Sequence, residues 1–390
     1  MRWVFQIWYT KKKLIVETLL ASVLADGIPS LSARLAREPE TAAIERRQGR
    51  RITMSLKFIY VAAGAAALAA TTALADPVTL RVQTHYATEH PTGKQLAIWA
   101  DDVQTMSGGD ITIEMFYSSS VVATTETFDA AINGILDCDA TGGAYQTGKN
   151  PAFQFVGDIM GGYDTPWQQY SWLYFGDGYA AAQELYNAQN MQLIGWAIYG
   201  QESLSSSKPI RGFEDLKGWK FRSPPGMETE IFEKLGASPI VMDFTEIFTA
   251  LETGIIDGAD ASGLYNNVGL GLYDIVKHAT YPGFHSMPSD HLACNLDVWN
   301  GLTDQQRRIV DTAWQKLGFQ IALSNELNNN AAAAKLRAEG VTLHNWSAED
   351  RAEFRKAAQA AWDDWGTRSP EAGALLASHK SYLTQLGLLN

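Results

Sequence analysis

Few residues in this chain combine a reactive type with a telling position, and Arg222 is the foremost. It sits in "WKFRSPPG", an apolar-looking strand that runs into a Pro-Pro-Gly turn and a helix, in a chain only 19% charged. A guanidinium placed there offers planar, paired donors that match a carboxylate bidentately, and the stiff turn would hold it at a domain edge. The other reading is a strand-end arginine paired with a surface glutamate, and local sequence leaves both open. His285, Asp290 and His291 in "GFHSMPSDHLAC" are the nearest approach to a metal cluster. Their spacing fits no familiar ligand set, so loop histidines are the plainer reading. The sequence has no G-x-S-x-G elbow, no H-E-x-x-H, no Walker loop and no G-x-G-x-x-G following a strand. A secreted enzyme stays open as an alternative, but no activated nucleophile or acid–base pair stands out to support it.

The elements that must position Arg222 alternate in type. "VTLRVQTHY" and "DITIEMFYS" have the two-residue period of strands, and "TGKQLAIWADDVQTMSGG" between them has helical spacing and a glycine stop. "TETFDAAINGILDCDATGGA" reads as a helix and a buried strand, which makes a βαβαβ rhythm and predicts a mixed sheet covered by helices. A second α/β block begins near Gly200: strand "WKFRSPPG", helix "METEIFEKLG", strand "SPIVMDF", a helix "EIFTALETG" capped by Thr245, and strand "IIDGADAS". Thr303 with Gln306 forms a capping box before a helix of roughly 30 or more residues, against a usual length of about 12. Such a helix would reach along both blocks. Two shorter helices follow, opened by Ser347 and by Ser369-Pro370. The 12 tryptophans are scattered through helical stretches, as core residues are, rather than gathered into a sugar-stacking platform.

The first 75 residues stand apart. From Met54, "MSLKFIYVAAGAAALAATTALADPVTL" has a basic start, an apolar middle and an A-x-A cut before Asp76, the layout of a secretory signal over 54–75. Signals sit at the N-terminus, so residues 1–53 are expected to be a mis-assigned upstream start. Without residues 1–75 the chain keeps 20 Lys and Arg against 38 Asp and Glu, a formal charge of −18. That excludes the basic face nucleic acid or anionic lipid would need. Cys138 and Cys294, the only two cysteines, would meet an oxidising compartment, where they can pair. No later segment is apolar enough to cross a bilayer.

From about Val78 to the last helix, the chain resembles the solute-binding proteins of TRAP (tripartite ATP-independent periplasmic) transporters. The likeness rests on "FEDLKGWKFRSPPG", "EKLGASPIVMDFTEIFTALETGIIDGAD" and "SGGDITIEMF", in that family's order and spacing. It implies a two-lobed α/β fold, like the type II periplasmic-binding-protein fold, with one long helix spanning both lobes. Lobe I would hold residues 76–199 and 288–327, and lobe II residues 200–287 and 328–390 with the C-terminal helices. The resemblance further implies periplasmic capture of a small organic acid anion in the interlobe cleft and its delivery to the membrane permease, with Arg222 on the ligand carboxylate. A narrower likeness is to the branch that binds 2-oxo or 2-hydroxy monocarboxylates with a metal cation. It adds Gln201 and Asp260 to the ligand site and makes Gln201, Asp260 and the Ala261 carbonyl candidate ligands for Na⁺ or Ca²⁺, which require oxygen. The chain departs from that branch, carrying Asp260-Ala261 where Glu-Trp is usual. From lobe I, Tyr86 in "THYATEHP" and Tyr145 in "TGGAYQTG" follow strand ends, where α/β sheets place ligands. A sugar acid, sulfonate or osmolyte is the alternative ligand class. The helical tail could support a homodimer.

Overall fold

The computed structural model describes residues 77–389, so the expected upstream start and signal lie outside the described residues. Among the described residues, eleven strands form two sheets: β1 (Val78–Gln83), β2 (Ile111–Phe116), β3 (Cys138–Asp139), β4 (Met191–Ile198), β5 (Ser205–Ser206), β6 (Lys220–Ser223), β7 (Ser238–Val241), β8 (Gly258–Ala259), β9 (His278–Thr280), β10 (Ser289–Asn295) and β11 (Thr342–His344). The first sheet has the order β2-β1-β3-β10-β4 and the second β11-β9-β5-β8-β6-β7. The chain crosses from the first to the second after β4, returns after β9 and crosses again after β10, so each sheet is assembled from segments distant in sequence.

The two-residue alternation of β1 and β2 is spent on burial. Leu80, Val82, Ile111 and Ile113 point inward, and the strands pair in parallel from Val78↔Ile111 to Gln83↔Phe116. Strand β10 is buried at every position and runs antiparallel to β3 and β4. Where it meets β3, Cys294 stands opposite Cys138 and the two form a disulfide across a separation of 156 residues.

The long helix runs from Asp304 to Ala338, 35 residues or about 50 Å at 1.5 Å per residue. Its Thr303–Gln306 capping box is formed in both directions. Trp314 packs on Trp99 of the first lobe, ring centroids 5.2 Å apart, and Gly318 lets the helix lie on β4: a Cβ there would meet the Trp196 carbonyl at 2.7 Å. About three turns further on, Asn329 accepts a hydrogen bond from the Tyr265 backbone in the second lobe at 2.8 Å. The helix thus spans both lobes.

The last helix, Pro370–Gln385, packs on the preceding helix Ala348–Gly366 and on the lobe I helices Phe153–Gly157 and Gly178–Asn187. His379 stacks on Trp172 at 3.6 Å and hydrogen-bonds the Phe155 carbonyl at 2.8 Å. Thr245 does not cap the helix Ile247–Glu252, which has no side-chain cap; a 3₁₀ turn, Phe244–Glu246, leads into it and is capped by Asp243. The Asp243 carboxylate accepts from the Thr245 backbone at 2.9 Å, and a carboxylate at a helix start is favoured over a hydroxyl by the positive end of the helix dipole.

Candidate functional site

Arg222 alternates with Phe221 on β6. Phe221 stacks on Trp219 at 4.3 Å and packs on Phe232 at 4.9 Å in the lobe II core, which sends Arg222 the opposite way, into the cleft between the sheets. Its side chain is buried, with 2% of the residue exposed. Nη1 donates to the Asp260 carbonyl at 2.8 Å, Nε to the Met242 carbonyl at 3.3 Å and Nη2 to the Tyr145 hydroxyl at 3.3 Å. The guanidinium also lies 5.8 Å from the Phe244 ring centroid. Burial opposes its charge, but Tyr145, Asp260 and Glu228 outweigh that, and its pKa is raised. Among the described residues, no carboxylate oxygen comes within 4.0 Å of it. It is a fixed, buried cation held by neutral acceptors.

The Pro-Pro-Gly turn serves the lobe contact. Gly226 has a φ of +120°, and a side chain there would collide with Gln154 Oε1 of lobe I. With glycine in place, that oxygen accepts from the Met227 backbone at 2.8 Å, docking lobe I on the N-terminus of the helix Met227–Lys234. A second latch joins Thr124 of lobe I to the Asp243 carboxylate, backbone N–H and hydroxyl each at 2.8 Å. The lobes are shut on each other.

Asp260, just past β8, donates its backbone N–H to the Arg222 carbonyl at 2.9 Å and turns its carboxylate to His285, Nε2 to Oδ1 3.1 Å. Both side chains are essentially sealed. Burial pushes the Asp260 carboxyl up, but His285 and the hydrogen-bonding neighbours Glu228 and Glu202 pull it well below the usual range. Glu202 and Glu228 are raised well above theirs, by burial first and then by the Asp260 charge. Asp158, across the cleft, is pushed up to about 7 by burial, opposed by its hydrogen bond from Ser286 at 2.7 Å. Among the described residues, Glu202, Asp260 and His285 are the one group of three whose ligand atoms approach within 4.8 Å of one another.

Four of the five sequence-predicted ligand residues converge here. Tyr145 touches Arg222, and burial raises its hydroxyl to about 12. Tyr86 stacks on His90 at 4.6 Å with its ring toward the cleft, and Asp260 and Ala261 complete the lobe II wall. Gln201 does not join them. Its amide donates to the Tyr163 carbonyl at 2.8 Å and lines a separate cavity beside Arg351 and Arg355, while its neighbour Glu202 takes the cleft. Gly200, at φ +94°, turns the chain just before, so the residue that faces the cleft lies one position on. Sequence reasoning missed Glu202, Glu228 and Asp158, and read His285 as a loop histidine, whereas it sits buried against Asp260. The trio His285, Asp290 and His291 is split by strand alternation: Asp290 faces the cleft, while His291 points behind the sheet between Tyr186 at 2.7 Å and Asp139 at 2.9 Å.

Comparison with known proteins accords with this architecture. Residues 82–368 match the family described as bacterial extracellular solute-binding protein, family 7. A monocarboxylate 2-oxoacid-binding periplasmic protein of Nostoc sp. is 31% identical over 261 residues, 64% of this chain and 69% of that one. A TRAP periplasmic solute-binding protein of Rhodobacter sphaeroides, solved in an apo open form, is 31% identical, with a TM-score of 0.64 over 80% of this chain and 99% of the other. A TRAP solute-binding protein of Bordetella bronchiseptica, solved with copurified calcium and picolinate, is 24% identical, with a TM-score of 0.76 over 80% and 94%. Among the described residues, no helix is long and apolar enough to cross a membrane. The match over most of the described chain, in sequence and in the two-lobed fold, places it in family 7 of the bacterial extracellular solute-binding proteins, the solute-binding proteins of TRAP transporters.

Proposed function

We propose that the chain captures a small monocarboxylate between its lobes, with Arg222 as the carboxylate clamp, and delivers it to the permease subunits of a TRAP transporter in the periplasm. The observation that carries this is the buried guanidinium with no carboxylate partner among the described residues. A buried charge needs a counter-charge, and the planar fork of arginine matches a carboxylate. Tyr145 and Tyr86 come from the opposite lobe, so a ligand gripped by Arg222 is enclosed when the lobes shut. Exclusion of water then strengthens the charge pair, since attraction rises as the dielectric falls. Closure is a population shift, driven by the ligand's better fit to the shut form.

The acids of lobe II fit a hard cation. Asp260, Glu202 and the Ala261 carbonyl offer oxygen, the donor that Na⁺ and Ca²⁺ take, and the sealed pair of carboxylates calls for positive charge. His285 is better read as the residue that orients Asp260, because a nitrogen donor suits these ions poorly. A cation there would offset the repulsion between the acids and polarise a ligand oxygen. Gln201 is left out of this set.

The test is a thermal-shift screen of stripped protein against monocarboxylates, sugar acids, sulfonates and zwitterionic osmolytes, each with a chelator and with added calcium or sodium. Monocarboxylates should raise the melting temperature most, and more with cation present, since only ligands of the folded state stabilise it. A response confined to sugars or osmolytes would refute the carboxylate reading, and turnover of the bound compound would make the protein an enzyme.

A further inference from the structure

The wall opposite Arg222 has chemistry of its own. Asp290, the second residue of β10, lines the cleft with 8% of the residue exposed, and its backbone is pinned by an isolated bridge to Gly142. Its Oδ2 accepts from the Tyr199 hydroxyl at 2.7 Å. An ionised carboxylate has about four acceptor positions; Tyr199 fills one, and the Tyr86 hydroxyl also lies close enough to favour the charge, which leaves acceptor capacity facing the cavity. His85 Nε2 stands 3.9 Å away, but burial holds that imidazole at about 3, so it is neutral and leaves the carboxylate uncompensated. Burial lifts Asp290 itself to about 6 against the Tyr199 hydrogen bond, which still leaves it mainly ionised at neutral pH.

Asp290 and Arg222 flank one residue. The Tyr145 hydroxyl touches Arg222. A Cβ built on Gly142 would lie 3.3 Å from the Tyr145 ring and 3.4 Å from Asp290 Oδ1, so ring and carboxylate border the same small space, and both charges act on the Tyr145 hydroxyl. Arg222 and Asp290 line one cavity.

We propose that Asp290, oriented by Tyr199, selects ligands that carry an O–H or N–H donor besides the carboxylate held by Arg222, and rejects the 2-oxo and dicarboxylic counterparts. It rests on the reading of Arg222 as the carboxylate clamp. An ionised carboxylate is acceptor-only: it takes a hydrogen bond from a hydroxyl or ammonium group and repels a ketone oxygen or a second carboxylate. Three other acids of the cleft already have partners. Asp260 is engaged by His285 and Asp158 by Ser286, and Glu228 is hydrogen-bonded to Ser223 at 3.0 Å. Sites built to pair a substrate hydroxyl discriminate strongly against analogues that leave the pairing group unsatisfied.

The experiment is calorimetry on stripped protein at neutral pH with calcium held constant, using lactate against pyruvate, glycerate against malonate, and alanine. In the wild type the donor-bearing acid of each pair should bind about tenfold tighter or more. Asp290→Asn keeps the shape but adds an N–H₂ donor that suits a ketone, and should bring the lactate-to-pyruvate ratio toward one or below. Tyr199→Phe, which removes the orienting hydroxyl, should reduce the ratio less, and it serves as the test if Asp290→Asn fails to fold. The proposal is overturned if pyruvate binds the wild type as tightly as lactate, or if a folded variant loses affinity for both acids with the ratio intact. If none of these acids binds the wild type, the carboxylate clamp fails first, and the selection rule falls with it.

Discussion

Replacing Arg222 with alanine removes three kinds of contact at once, and the loss can be apportioned. Two backbone carbonyls, of Asp260 and Met242, and the Tyr145 hydroxyl lose their donor. Each buried group left unsatisfied costs about 1–3 kcal/mol, so the variant should melt several degrees lower without ligand. The binding loss is separate. Truncating one partner of a buried, hydrogen-bonded charge pair costs about 2–5 kcal/mol, which at 1.4 kcal/mol per decade weakens affinity about thirtyfold to several thousandfold. Arg222→Lys keeps the charge but not the planar fork and should fall between. Calorimetry on stripped protein should pair each acid with its primary amide. The amide removes the ligand's charge, as alanine removes the protein's, so the two changes complete a double-mutant cycle. The wild type should favour acid over amide by about 2 kcal/mol or more, and Arg222→Ala should erase the preference. An acid-over-amide preference of equal size in wild type and variant would refute the clamp, whatever happened to the absolute affinities.

Three further outcomes follow from other parts of the fold. Removing the Cys138–Cys294 disulfide with a double alanine variant frees a loop of 156 residues; chain entropy sets the loss at up to about 5 kcal/mol, and a melting temperature that reducing agent leaves unchanged would contradict the bridge. His379 is held at about 3 by burial against Trp172 and Phe155, while the unfolded chain protonates near 6.5. Its contribution is therefore complete above pH 6.5 and is lost as the pH falls toward 3, about 2 kcal/mol of it by pH 5, and His379→Gln should flatten that part of the urea-unfolding profile. Thr124→Ala breaks one of the two hydrogen bonds that latch lobe I to the Asp243 carboxylate; a hydrogen bond to a charged group is worth about 1.5 kcal/mol or more, so ligand should dissociate about tenfold faster in stopped-flow measurements, and an unchanged off-rate would show that the latch does not hold the shut form.

The parts of this structure that were legible in advance are those fixed by neighbours in sequence. The Thr303–Gln306 box and the proline-free, periodic apolar face beyond it dictate the long helix. The alternation of Phe221 and Arg222 on one short strand dictates that, with the phenylalanine in the core, the arginine points away from it. What could not be read depends on backbone turns and on partners from far away. Gly200 rotates the crossing segment, so Glu202 rather than Gln201 enters the cleft, and nothing in "YGQES" announces a left-handed glycine. The Asp243 cap outcompetes Thr245 partly because Thr124, 119 residues earlier, supplies it with two more donors.

The acids of the cleft carry this furthest. Asp158, Glu202, Glu228, Asp260 and Asp290 come from five separate segments, and the first three read in sequence as ordinary carboxylates of an acidic protein. Folding brings them around a single guanidinium. Ionised, they repel one another and pay desolvation, which is why four of the five are pushed upward in pKa. Shutting the lobes worsens both effects, so the closed form is favoured only when something positive or hydrogen-bond-donating is shut in with them. On this account Arg222 attracts the ligand's carboxylate, and the surplus of acid makes closure conditional on the rest of the cargo: a cation beside Asp260 and a donor facing Asp290. A cleft with arginine alone would close on any small anion; the excess negative charge turns capture into selection.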